Sequence, residues 1–286
     1  MKLKKGYKIF FLFIIIIITL VFLLHIYRHN IDYSKLKRNY DKQENDTPIY
    51  IDHVNEFNIK DSNYIEKYYK RYITYKKNHS DYNDDQIITY VNIGLDMPFY
   101  TNMKDTDMSD GYLIICNKYN KLRSDYVPDL VSLAGFGGGQ MERVAAESFK
   151  EMSNAAKKEG IDIHNISGYR SYNTQKSLYN SYVNRDGKEK ADTYSARAGT
   201  SEHQTGLATD INSISISFEN TSAFKWLSKN AYKYGFILRY PKGKEHITGY
   251  TYEPWHYRYV GNDVAKIIYD KKITFEEYYA TYLLKD

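Results

Sequence analysis

Two stretches of this chain hold residues whose types and spacing could do metal chemistry. The first, Ser201-Glu-His-Gln-Thr-Gly-Leu-Ala-Thr-Asp210, carries His203 and Asp210. The second, Glu253-Pro-Trp-His-Tyr-Arg-Tyr-Val-Gly261, carries Glu253 and His256. His203, Asp210 and His256 supply three protein ligands, the number a catalytic zinc site uses while leaving a fourth position open. Neutral imidazole and carboxylate are ligand types that zinc accepts. Glu253 stands beside them as a base. Taken alone, His203 reads as an ordinary satisfied histidine. Its company makes the metal reading the better one.

The spacing also says which elements must hold these groups. Ligands on one helical face recur three or four residues apart, which the step from His203 to Asp210 does not match. It suits a loop that runs through Gly206 into a strand ending near Asp210. The apolar and aromatic residues around His256 favour a second strand, with Glu253 just ahead of the histidine.

The pattern S-x-H-x-x-G-x-A-x-D, followed by E-P-W-H-Y-R-Y-V-G and preceded by Ser167-Gly-Tyr-Arg-Ser171, resembles the LAS group of zinc peptidases. That group joins lysostaphin-type enzymes, D-alanyl-D-alanine peptidases and the hedgehog domain; the likeness is greatest to the VanY-type D-alanyl-D-alanine carboxypeptidases. It covers residues 111–260. The resemblance implies an α+β fold with a small antiparallel sheet flanked by helices. It implies one zinc ion per chain on His203, Asp210 and His256, with Glu253 as general base. Arg170 matches the arginine of the family's Y-R-S motif, where a guanidinium could clamp a terminal carboxylate through paired hydrogen bonds or stabilise an oxyanion. The sequence leaves both roles open. Gln175 and Ser201 match family positions that contact the carboxyl end of the peptide. The implied substrates are peptidoglycan stem peptides, and the implied reaction is removal of the C-terminal D-alanine from a peptide ending in D-Ala-D-Ala. An L,D-carboxypeptidase trimming tetrapeptide stems is the rival enzyme. A non-catalytic zinc module is the rival from another class, and Glu253 and Arg170 speak against it, since binding alone needs no base. His164 and His246 stay outside the expected site, and Trp255 and Tyr257 are expected to build the core and the pocket wall.

Composition limits the alternatives. The 286 residues are 42% hydrophobic and carry a net charge of +5, enough apolar material for one sizeable domain with appendages. So small a charge is not the clustered basic footprint of a nucleic-acid binder. The abundance of tyrosine (32 residues) reads as coding bias rather than function. The single cysteine, Cys116, excludes an intrachain disulfide and any cysteine-based zinc finger. Nothing in the sequence fixes the oligomeric state, and a monomer is expected.

Lys2, Lys4, Lys5 and Lys8 precede an apolar run over 9–24. Roughly 16 to 19 residues at a 1.5 Å rise span about 24–28 Å, just enough for a bilayer core. Basic residues ahead of it would keep the N-terminus in the cytoplasm and place the rest outside. The residues after the run lack a small-x-small cleavage site, so a single-pass signal anchor is expected over 1–28, at the cell membrane, with an extracytoplasmic catalytic domain. Residues 29–48 read as a polar tether. Residues 49–110 read as a small subdomain or a brace, with a helix at 62–79 and strand character at 86–95. Residues 111–286 form the expected catalytic domain. Strands are expected at 112–116, 161–169, 236–240 and 255–260, and helices at 141–160, 171–184, 221–234, 262–270 and 274–283. A mobile polar loop is expected over 185–200.

Overall fold

The strands that carry the metal-type residues are short and buried throughout. Ala-Thr-Asp-Ile forms one and His-Tyr-Arg-Tyr the other. Strands covered on both faces lose the polar alternation of a half-exposed sheet. The computed structural model describes residues 53–284. The expected anchor and tether lie outside the described residues. Among the described residues no helix is long and apolar enough to cross a membrane.

Among the described residues eight strands appear in chain order. β1 (Lys104–Asp105) and β2 (Asn120–Lys121) form a short parallel pair. β3 (Leu130–Ser132) and β4 (Gln140–Glu142) form a hairpin. β5 (Asn165–Ser167), β6 (Ala208–Ile211), β7 (Phe236–Leu238) and β8 (His256–Tyr259) form one antiparallel sheet in the order β5-β6-β8-β7. The hairpin loop is the glycine-rich 135–139. Gly137 has φ +100°, and a Cβ there would stand 2.0 Å from the Asn165 carbonyl oxygen. That stretch is a turn packed onto β5.

Helices cover the sheet. α1 (Tyr69–Asn78) and α2 (Asp84–Asn92) precede the strands, followed by α3 (Arg143–Lys158), α4 (Tyr172–Asp186), α5 (Lys188–Tyr194), α6 (Ser222–Asn230) and α7 (Asn262–Lys271). α3 starts where the Glu142 carboxylate accepts from the Val144 and Ala145 amides, satisfying donors that a helix start leaves open. It buries Ala145, Phe149, Met152 and Ala156 in one cluster with Leu227 of α6 and with Ile211, Tyr257 and Tyr259 of the sheet. Side chains alternate across a strand, so Asp210, His256 and Arg258 point to the other face. The main core lies under one side of the sheet and the chemistry on the other.

Three expectations are corrected. Residues 86–95 are helical, not a strand. Asn83 and Gln86 form a reciprocal capping box, and this helix-start signal outweighs the β-branched composition that suggested a strand. Residues 112–116 form no strand: a 3₁₀ turn over Met108–Leu113, kinked at Gly111, leads into buried residues without a sheet partner. Residues 185–200 are not a bare loop. They hold the end of α4 and all of α5, and their polar side chains pair with one another, as in Arg197–Asp192 at 2.7 Å and Arg185–Asp186 at 2.7 Å. Internal pairing mimics loop polarity in a sequence.

The N-terminal helices have their own cluster of Phe57, Tyr72, Tyr75, Ile87 and Val91, which also takes in Ile247. All described residues fall in one compact unit that begins at His53.

Candidate active site

Register brings the site together. Asp210 of β6 lies directly opposite His256 of β8, and Ser167 of β5 lies opposite Asp210. His203 sits in a 3₁₀ turn, Glu202–Thr205, that Gly206 ends in the left-handed conformation at φ 69°. A Cβ on Gly206 would stand 2.8 Å from the Glu142 backbone nitrogen, so only glycine fits where the chain turns from His203 into β6. Arg170 follows β5, and its backbone N–H donates to the His203 carbonyl (3.1 Å). Glu253 occupies the turn before β8, with the His256 N–H donating to its carbonyl (3.2 Å).

One donor atom each from His203, Asp210 and His256 fall within 4.8 Å of one another. His203 Nε2 lies 3.4 Å from Asp210 Oδ2, and His256 Nδ1 lies 3.1 Å from Asp210 Oδ1. Two atoms held about 2.0–2.1 Å from one zinc ion at tetrahedral angles stand roughly 3.3–3.4 Å apart; the His203 contact matches this, and the His256 contact, to the other carboxylate oxygen, is slightly shorter. His203 Nδ1 donates to the Gly168 carbonyl at 2.7 Å, which leaves its Nε2 lone pair free for a metal. A second partner that fixes the tautomer is a regular companion of metal-bound histidine. Asp210 Oδ1 is buried without a hydrogen-bond partner, as suits an atom kept for a cation.

Electrostatics agree with the donor set. Burial and the neighbouring Arg170 push His203 down to about 3, so the imidazole is neutral. Burial opposes charge on His256, but the Asp210 and Glu202 carboxylates outweigh it and push its imidazole up to about 9. That much negative oxygen around one imidazole attracts a cation. Burial pushes the Glu253 carboxyl up to about 8, with Asp210 adding to the effect and His256 and Arg170 opposing it. Glu253 Oε2 is 3.6 Å from His256 Nδ1, next to the cluster and outside it.

These groups line a cavity of about 460 Å³ that also exposes Arg170, Gln175, Ser201, Trp255 and Tyr240. Among the described residues Arg170 has no ion pair or side-chain hydrogen bond, and its buried Nε lacks a partner. The guanidinium is not spent on a structural salt bridge. Gln175 donates from Nε2 to the Ala196 carbonyl at 2.6 Å, leaving Oε1 buried and unpartnered. Every site residue read from the sequence lies on this one cavity. His164 instead pairs with Asp162, and His246 packs edge-on to Tyr90. Tyr257 is buried in the core cluster on the opposite face.

Sequence reading missed the charged residues behind the site. Glu202 accepts from Arg239 Nε and Arg258 Nη1, each at 2.8 Å, and Arg239 also holds Glu276. Burial opposes ionisation of Glu202, but Arg239 and Arg258 overcome it and hold the carboxyl well below its usual range. The available signal was an arginine in each of two otherwise apolar strand segments, Phe-Ile-Leu-Arg239 and Tyr257-Arg-Tyr-Val. A buried cation requires a buried anion.

Comparison with known proteins now has a geometry to explain. The family model described as "VanY: D-alanyl-D-alanine carboxypeptidase" matches residues 138–262. The Bacillus subtilis protein YodJ is 42% identical over 205 residues, which is 65% of this chain and 75% of that one. A D-alanyl-D-alanine carboxypeptidase of Enterococcus faecalis is 35% identical over 190 residues, 63% of this chain and 70% of that one. Among solved structures, the LD-carboxypeptidase LdcB is 42% identical with a TM-score of 0.60, covering 63% of this chain and 91% of that one. A variant of the vancomycin-resistance D,D-pentapeptidase VanY, in complex with Zn(II), is 35% identical with a TM-score of 0.53, covering 58% of this chain and 98% of that one. By sequence and by fold this chain belongs to the VanY family of D-alanyl-D-alanine carboxypeptidases, and is a zinc metallopeptidase.

Proposed function

We propose that this protein is a membrane-anchored, extracytoplasmic carboxypeptidase that removes the C-terminal D-alanine from peptidoglycan stem peptides ending in D-Ala-D-Ala. The observation that carries this is the shared cavity: the His203–Asp210–His256 cluster, Glu253 beside it, and the unpaired guanidinium of Arg170 facing the same space. His203 through Nε2, His256 through Nδ1 and Asp210 through its carboxylate would hold the zinc ion. Zinc in such a site supplies Lewis acidity that lowers the pKa of water and polarises a carbonyl.

The chain's own residues do the rest. Glu253, with its carboxyl raised toward neutrality by burial, takes the proton of the attacking water and returns it to the leaving amine; a group poised near working pH does both at small cost. Arg170 binds the substrate's terminal carboxylate. Gln175 holds the Ala196 wall and turns its free oxygen to the peptide, with Ser201 on the same wall. Support for the anchor is the lysine-flanked apolar run over 9–24.

A second reading has a specific observation in its favour. LdcB is named an LD-carboxypeptidase and matches at 42% identity, so the same metal and base could serve tetrapeptide stems. Released D-alanine from pentapeptide and from tetrapeptide stems, followed by mass spectrometry, decides between them. Release from the pentapeptide supports the first reading. Release mainly from the tetrapeptide assigns the L,D class, and release from neither, with zinc bound, sinks both.

A further inference from the structure

Behind His256 stands a carboxylate that the metal cluster does not use. Glu202 is buried, at 1% exposure, and divides its two oxygens unequally. Oε1 accepts from Arg239 Nε and Arg258 Nη1, each at 2.8 Å. Oε2 has no hydrogen-bond partner, and neither does His256 Nε2. These two buried atoms lie 3.7 Å apart. A neutral imidazole has a proton on one nitrogen and a lone pair on the other. With Nδ1 of His256, 3.1 Å from Asp210 Oδ1, given to the metal, the imidazole's proton belongs on Nε2. Leaving a buried donor and a buried acceptor both unmade is costly, and a movement of under about 1 Å brings this pair to the length of a charge-assisted hydrogen bond.

We propose that Glu202 is the positioning residue for His256, accepting its Nε2–H and so presenting the Nδ1 lone pair to the metal. The two arginines hold the carboxylate in that orientation, and Glu276, which accepts from Arg239 at 2.6 and 2.8 Å, balances the remaining charge. Two glutamates face two arginines, so the buried set is neutral. The two histidines are then oriented by different means: His203 by the Gly168 carbonyl, His256 by Glu202. The proposal rests on the reading of His256 as a zinc ligand.

The test inverts one dipole. In E202Q the arginines still require an acceptor, so the amide oxygen turns toward them and the amide nitrogen toward His256. A donor at that point favours the wrong tautomer and aims an N–H at the metal. Zinc affinity of the full chain, measured by chelator competition, is expected to fall 10–100-fold. E276Q takes a charge from the same network without facing His256, and should keep wild-type zinc affinity. Proton and nitrogen NMR of the zinc-loaded wild type should show His256 bound through Nδ1 with its Nε2–H shifted downfield by a hydrogen bond, and E202Q should lose that shift. The proposal is overturned by a zinc-loaded wild type whose His256 Nε2–H shows no downfield shift, by unchanged zinc affinity in E202Q, or by equal losses in E202Q and E276Q. Should E202Q fail to fold, the spectrum of the zinc-loaded wild type decides alone. If H256A binds zinc like the wild type, the metal reading itself fails, which is a different result from zinc bound through His256 without help from Glu202.

Discussion

At the scale of single residues, Glu253 and Arg170 are distinguished by what they lack. Glu253 is a half-buried carboxyl that accepts no side-chain hydrogen bond among the described residues, pushed up to about 8 by desolvation, and strongly shifted groups in a cleft mark functional sites. Replacing it with alanine should lower kcat by about 10²–10⁴, the usual contribution of general acid–base catalysis. Zinc content should stay at the wild-type level, because the three donor atoms are untouched; a kcat within a few-fold of wild type would remove Glu253 from the mechanism. Arg170 is a half-buried guanidinium without an anion partner among the described residues. With Arg170 as a carboxylate clamp, R170A should raise KM for stems ending in a free carboxylate more than it lowers kcat. The variant should discriminate far less than wild type between a free and an amidated C-terminus. A fall in kcat at constant KM would reassign the group to the oxyanion.

At the scale of elements, the site depends on one turn and one register. Gly206 closes the turn between His203 and β6 in a left-handed conformation, against the Glu142 backbone. Alanine there meets both an unfavourable φ and a backbone neighbour, and G206A should lose more than about 1 kcal/mol of stability. It should also weaken zinc binding, since the turn sets the distance from His203 to Asp210. Melting temperature and zinc titration measured together check this, and a G206A protein with wild-type values in both would contradict it. The antiparallel pairing of Asp210 with His256 leaves no slack, because a slip of one residue sends a side chain to the opposite face. α4 and α5 form the remaining wall. Their ion pairs and the Lys118 ammonium, which donates to the Asp192 and Gly249 carbonyls, tie it to the turn ahead of Glu253. The site is walled by ordered helix where the sequence suggested a mobile loop.

At the scale of the whole molecule, tyrosine sets the response to alkali. Burial pushes Tyr75, Tyr179 and Tyr252 up to about 12, with Tyr82 adding at Tyr75, Asp192 at Tyr179 and Glu219 at Tyr252. An unfolded tyrosine ionises near pH 10. Below that, both states keep the proton and the native state keeps its full advantage. Between about pH 10 and 12 the unfolded chain releases protons that the native chain holds, so stability falls as pH rises. Lys118 acts the other way: burial pushes it down to about 8, and from there to about 10.4 the unfolded state binds the extra proton. It is one group against several. Denaturation midpoints should therefore drop steeply above about pH 10, with phenolate absorbance appearing together with unfolding. Midpoints unchanged up to pH 12 would show that these tyrosines titrate as if exposed.

How much of this was legible in the chain depends on the range of the interaction. Donor chemistry is a property of residue type, so His203, Asp210, His256 and Glu253 could be named from two short stretches, as could the helices whose apolar period and caps are local, such as α3 and α4. The assignment of 86–95 failed for a local reason as well, because a capping box outweighed β-branched composition. Tertiary structure alone decided the rest. Glu202 meets Arg239 and Arg258 only after strands distant in sequence are paired, and residues 185–200 look polar because their partners lie within the fold. The proximity of Asp210 to His256 is a fact of sheet register, and register is set by long-range burial that no single stretch contains. The sequence by itself determined which atoms could hold a metal; packing decided that their separations, tautomers and charges suit one.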